Sequence, residues 1–229
     1  MKFGFASLAI LAVASSASAD LVCGWTITTA FPTGAGNVPV GVTYGVGAAN
    51  LGALTTGSSL DSVHASAAAT YTSPSGNGSQ YAFSSNNWAI GDYYQAKFST
   101  LGFTDAMTVT WDQTRSSTGP VSFEVIFSTD GGTNWNTALA SYTVLQSGGG
   151  GAPGTWSSTT YNPLYTNTLA IAGIENTAEV LLRFRAVSAP GGATGSNRID
   201  NVMIYSGAVP APGAVALLGL AGLVGRRRR

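Results

Sequence analysis

Charge is what this 229-residue chain has least of: Asp, Glu, Lys and Arg together make up 9% of it. The only lysines are Lys2 and Lys97, and Glu occurs only at Glu124, Glu175 and Glu179. That scarcity disfavours long solvent-exposed helices, which are normally filled with Lys, Glu and Arg. A single cysteine, Cys23, excludes an intrachain disulfide. A single histidine, His64, means that any Ser-His-Asp triad has to use that one imidazole. No G-x-S-x-G elbow stands near a strand end. Gly45-Val46-Gly47 lacks the third glycine of a dinucleotide loop, and Ser147 to Gly151 lacks the Lys-Ser/Thr of a phosphate loop. No D-x-[DN]-x-[DN]-G run is present, which removes an EF-hand. The acids Asp105, Asp112, Glu124 and Asp130 do not cluster at alternate positions of one strand, as paired carboxylates of a sandwich glycosidase would.

The balanced formal charge conceals an uneven distribution. Lys2 and Arg226 to Arg229 sit at the extremities, while the body keeps Lys97, Arg115, Arg183, Arg185 and Arg198. All ten acidic residues lie between Asp20 and Asp200, so five minus ten gives the body a formal charge of −5. Nucleic acid, bound chiefly through clustered Lys and Arg, is therefore an unsuitable partner. Anionic lipid is equally unsuited to docking on the body.

Both ends read as addresses. Met1-Lys2, the apolar stretch Phe3 to Val13 and Ala17-Ser18-Ala19 form a secretory leader helix, with signal peptidase expected to cut between Ala19 and Asp20. Cys23 follows Asp20-Leu21-Val22, without the small residue that lipoprotein processing needs in front of the cysteine. At the other end, Val209-Pro210-Ala211-Pro212 leads into an apolar run ending at Gly225, followed by Arg226-Arg227-Arg228-Arg229. The run from Ala214 to Val224 is shorter than the ~20 residues of a comfortable span. Snorkelling arginines extend its reach, and they bias that side toward the cytoplasm. Gly219, Gly222 and Gly225 make it a poor soluble helix. The predicted organisation is a leader over 1–19, an exported domain over 20–206, and a tail over 207–229 with a short transmembrane helix.

The order proline motif, brief apolar segment and terminal basic cluster resembles the PEP-CTERM sorting signal. The resemblance covers the tail alone and departs from Pro-Glu-Pro in having Ala211 between Pro210 and Pro212. It implies that an exosortase-like enzyme reads the motif and removes the tail on the outer side of the inner membrane.

Within the body, period-two patterns predominate. Tyr94, Ala96 and Phe98 alternate with Tyr93, Gln95, Lys97 and Ser99, and Met107, Val109 and Trp111 alternate with Thr108, Thr110 and Asp112. The same holds for Val121, Phe123, Val125 and Phe127, and for Val180, Leu182 and Phe184. In the last strand, Arg198 to Tyr205, the pattern groups Asp200, Val202 and Ile204 on one face. Such segments without intervening amphipathic helices predict an all-β chain, an antiparallel β-sandwich of jelly-roll type. Weaker expectations are edge strands near Trp25–Thr29 and Val40–Tyr44, a helix over Leu60–Ala69, and a loop over Ser73–Ser79. Glu124, Arg183 and Arg185 fall on outward faces and can pair across neighbouring strands.

Two local motifs stand out. Ser128, Asp130, Gly132 and Trp135 have the S-x-D-x-G-x-x-W spacing of a tight hairpin, with glycine for positive φ and Asp for turn amides. It resembles the Asp-box, a folding element distant from catalytic centres; a calcium ligand role for Asp130 is the lesser alternative. Arg198-Ile199-Asp200-Asn201-Val202 resembles the closing strand of secreted carbohydrate-binding and MAM-like jelly rolls, which implies a structural calcium as one option. Hydrogen bonding of Asp200 to turn amides or an arginine is the favoured alternative.

The leading functional expectation is an exported surface or extracellular-matrix protein without catalytic activity or cofactor, associated with exopolysaccharide. A glycan-binding module using Tyr81, Trp88, Tyr93 and Trp156 as a stacking platform is the second reading, and a hydrolase the third. Cys23 reads as an incidental free thiol near a flexible terminus.

Overall fold

The computed structural model describes residues 19–30, 44–148 and 152–209. The expected leader helix and transmembrane segment, Pro210 to Pro212 of the expected sorting motif and the terminal arginines fall outside these residues, as does most of Val40–Tyr44. Among the described residues no helix is long and apolar enough to cross a membrane. In chain order the strands are β1 (Asp20–Trp25), β2 (Tyr44–Gly47), β3 (Ser59–Val63), β4 (Tyr71–Thr72), β5 (Phe83–Ser85) and β6 (Tyr93–Phe98). They continue with β7 (Met107–Arg115), β8 (Ser122–Ser128), β9 (Asn136–Thr143), β10 (Thr166–Ile171), β11 (Val180–Ala186) and β12 (Asn197–Ser206).

These strands form two six-stranded antiparallel sheets. Sheet I runs β10-β7-β12-β5-β4, with β1 sharing the edge of β12 beyond β5; sheet II runs β2-β3-β6-β11-β8-β9. The chain crosses repeatedly between sheets, as a jelly-roll sandwich requires, and the inner faces of both sheets bury one continuous core. Trp111 is its largest fully buried side chain, 4.9 Å from Phe184 and 5.3 Å from Tyr142 between ring centroids. The alternation predicted for β6 is observed residue by residue, with Tyr94, Ala96 and Phe98 inside and Tyr93, Gln95 and Lys97 outside.

Three sequence expectations are corrected. Leu60–Ala69 is no helix: β3 occupies its start, because Leu60, Ser62 and His64 alternate inward and His64 Nε2 lies within hydrogen-bond distance of the Ser62 and Ser85 hydroxyls. Cys23 is not at a loose terminus. It lies fully buried in β1, which pairs with β12 from Asp20↔Ser206 to Trp25↔Val202, and burial pushes its thiol up to about 12. In β12 the period-two pattern breaks. A bulge between Asp200 and Met203, with Asn201 at φ 46°, lets both Ile199 and Val202 face the core and turns Asp200 to the outer side of sheet I. Asparagine tolerates that left-handed conformation better than other non-glycine residues.

Candidate functional site

Sheet II presents a polar, aromatic face to solvent, and β-sheet register decides what stands beside what. Across all six strands one row reads Gly45, Asp61, Gln95, Arg183, Ile126 and Thr137. The next row over reads Val63, Tyr93, Arg185 and Glu124. Lys97 stands one row the other way, opposite Leu181. Three of the body's five cationic side chains thus project from one face of one sheet.

The β8–β9 hairpin closes one side of this face. Ser128 Oγ donates to Asp130 Oδ1 at 2.7 Å and accepts from the amide of Gly132 at 3.0 Å. Asp130 Oδ1 also accepts the Asn134 amide at 2.9 Å, and its Oδ2 accepts Asn134 Nδ2 at 2.7 Å. These donors hold the Asp130 carboxyl down at about 2. Both carboxylate oxygens are taken by the turn, which is the structural role the spacing implies. Trp135 donates Nε1 to the Gly132 carbonyl at 2.9 Å, folding back as expected. It also does something the sequence did not disclose. Its ring lies over Arg183, whose Cζ is 3.9 Å from the Trp135 centroid and 3.9 Å from that of Tyr93. Arg183 Nε donates to Gln95 Oε1 at 2.8 Å. The guanidinium is therefore fixed by two rings and an amide oxygen, and partial burial lowers its pKa from the ordinary arginine value. Arg185 takes the predicted cross-strand acid, with Nη2 2.5 Å from Glu124 Oε1. Arg183 does not share that acid.

On the outer side of sheet I, Asp112 and Asp200 face each other in register. Both are buried under the loop that carries Asn77 and the 3-10 turn Pro163–Tyr165. Asp112 accepts from Asn77 Nδ2 at 3.0 Å, Asn201 Nδ2 at 2.8 Å and Thr166 Oγ1 at 2.5 Å. Asp200 accepts from the Asn77 and Asn201 amides and from Ser79 Oγ. The favoured turn-amide account of Asp200 holds, and Asp112 is the partner sequence reasoning missed. Register alone pairs the two, and register is not written in either segment. Desolvation lifts Asp200 to about 7 and raises Asp112 as well. A calcium ion takes six to eight oxygen ligands. Here the hydroxyl oxygens of Ser79 and Thr166 lie against the two carboxylates, while Asn77 and Asn201 turn N–H donors toward them. Among the described residues no cluster of three or more His, Cys, Asp or Glu side chains is suited to a metal.

The core contains the one imidazole in a triad-like setting. His64 Nδ1 lies 3.1 Å from Asp92 Oδ2, and Nε2 lies 3.1 Å from Ser62 Oγ and 3.0 Å from Ser85 Oγ. The Nδ1 contact is an ion-pair distance without hydrogen-bond geometry. Both hydroxyls are sealed in the core, at 0% and 1% exposure, so no substrate carbonyl reaches them in this conformation. The cluster instead stitches the sheets together. Ser85 Oγ is 3.2 Å from Tyr94 Oη, which donates across the sandwich to the Asn197 carbonyl at 2.8 Å.

The predicted aromatic platform does not form. Trp88 is buried against His64, Tyr94 and Phe123, because its indole caps the core and donates to the Ser85 carbonyl. Trp156 packs edge-on against Tyr165 and bonds Ser75, while Tyr93 belongs to sheet II. Among the residues expected to mark export, Ala19 and Asp20 are described, with β1 beginning at Asp20; Val209 ends the described chain.

No family model matches the chain, and no curated protein matches it. Among solved structures it is similar to the K1 cleaved adhesin domain of Lys-gingipain from Porphyromonas gingivalis W83. That match has 13% identity, covers 81% of this chain and 98% of that one, and has a TM-score of 0.44. A family 61 carbohydrate-binding module in complex with β-1,4-galactotriose matches at 13% identity over 66% and 90%, TM-score 0.38. The CBM22-1 xylan-binding domain from Paenibacillus barcinonensis Xyn10C matches at 11% identity over 77% and 100%, TM-score 0.37.

Proposed function

We propose that this chain is an exported envelope or matrix protein that binds extracellular polysaccharide through the outer face of sheet II. One observation carries the reading: a body poor in charge gathers Lys97, Arg183, Arg185, Asp61, Glu124, Gln95, Tyr93 and Trp135 on that face. An open sheet lined by hydrogen-bonding groups and two fixed rings suits an extended, hydroxyl-rich chain. The leader and tail supply the route. Both leave the body from the β1–β12 pair in sheet I, so a tail held by the membrane emerges from the other sheet. Signal peptidase and an exosortase-like enzyme are the processing partners of this proposal, and no catalytic role is assigned to the body.

Affinity electrophoresis of the full chain through gels containing host exopolysaccharide tests the binding half. Retardation is expected for the native sequence, and Trp135→Ala is expected to weaken it by ~10-fold, the loss of about 1.4 kcal/mol. Unretarded migration through host exopolysaccharide and through a panel of neutral and acidic glycans would dispose of the proposal.

A further inference from the structure

The geometry points to a carboxylate on the glycan as the group that Arg183 recognises, making the ligand a uronate-containing polysaccharide; this rests on the binding face proposed above. The guanidinium carbon lies 3.9 Å from the ring centroids of both Tyr93 and Trp135, and Nε is occupied by Gln95. Among the described residues Arg183 forms no ion pair and no further hydrogen bond, so the Nη nitrogens keep their donors. An arginine held this way has already lost its side-chain freedom. It presents the fork that matches a carboxylate through two parallel N–H···O bonds.

The surrounding charges agree. Glu124 is held by Arg185, and Asp61 accepts from Ser59 Oγ at 2.6 Å on the far side of Gln95. Lys97 is the diagonal neighbour of Arg183 on the adjoining strand, at a spacing of about 7–8 Å, and has no ion-pair partner among the described residues. Two unmatched cations therefore stand side by side on a body whose formal charge is −5. The body as a whole repels polyanions, so attraction to one has to come from this patch.

The test uses the full chain in affinity gels containing polygalacturonate, the same polymer with its carboxylates methyl-esterified, or neutral galactan. The native chain is expected to be retarded by polygalacturonate and to run freely, or at least ~10-fold less retarded, in the ester. Arg183→Lys keeps the charge and loses the fork; it is expected to lose ~10-fold in affinity for polygalacturonate while still unfolding in one cooperative thermal transition. Lys97→Gln, on a part-exposed side chain, serves if the arginine variant folds poorly, and a ~3-fold loss is expected. Equal retardation in the ester, or unchanged polygalacturonate binding in Lys97→Gln and in a folded Arg183→Lys, overturns the inference. Binding to neutral galactan alone, weakened by Trp135→Ala, overturns it while leaving the polysaccharide-binding proposal intact. Absence of binding to every glycan overturns both.

Discussion

Asp200 shows how much a single side chain depends on what the fold places around it. Its carboxyl, normally near 3.8, sits at about 7 because burial beside Asp112 disfavours the ionised form more than its donors restore it. Between about pH 4 and pH 7 the folded chain thus holds a proton that the unfolded chain has released. That contribution to stability is complete below pH 4 and is lost as pH rises through 7. A displacement of this size corresponds to at most on the order of 4 kcal/mol. Urea midpoints are expected to fall from pH 5 to pH 8, and Asp200→Asn is expected to flatten the fall; a native midpoint that rises over that interval contradicts the assignment. Gly76 lies against the same carboxylate, and a Cβ there would overlap Asp200, Ser79 Oγ and the Tyr81 carbonyl. Gly76→Ala should cost ~1–3 kcal/mol through overpacking, measured by the same titration. Cys23, buried in β1 with its thiol pushed up to about 12, should resist a thiol reagent at pH 8 in the folded chain and react once urea unfolds it.

Among elements, the β8–β9 hairpin was legible almost completely, because its interactions are local. Ser128, Asp130, Gly132 and Trp135 satisfy one another within eight residues, and glycines at φ 70° and 88° make the turn. Replacing Gly132 by Ala forces a side chain into that left-handed conformation, 3.4 Å from the Trp135 ring. A loss of ~1–2 kcal/mol is expected in chemical denaturation, with quenching of Trp135 altered in emission spectra. What the motif did not disclose is that Trp135 reaches Arg183 on β11, since no local pattern states which strand lies next to the hairpin. β12 is the opposite case. Its period-two reading placed Asp200 with Val202, and the Asn201 bulge separates them. The Leu60–Ala69 segment misled because Ser62 and His64 look exposed by residue type, yet each finds a buried partner.

At the scale of the molecule, a buried polar chain joins the two sheets across the apolar core. Tyr94 on β6 donates to Asn197 on β12, and Gln113 on β7 donates to Asn197 Oδ1 at 2.9 Å while accepting from Trp111 and Tyr142. Tyr94→Phe removes the cross-sheet donor and should lower stability by ~1–2 kcal/mol without changing the fold, read from denaturation and near-UV dichroism. The route of the whole chain has its own test. An intact mass of native protein from cell-envelope fractions should begin at Asp20 and lack Arg226 to Arg229. Native protein with both ends uncut, recovered from the cytoplasm, contradicts the export reading.

The sequence by itself determined the all-β character of the described residues, where most of the central strands run, and how the few charges divide between the two ends and the body. Those properties follow from alternation and composition, which are local or additive. Only the tertiary structure decided that Arg183 lies between Tyr93 and Trp135, that Asp112 meets Asp200, and that His64 is sealed with two serines. Each of those arrangements joins residues far apart in the chain through strand register and sheet packing. Such contacts arise from the simultaneous fit of all strands around one core, and no single segment encodes them.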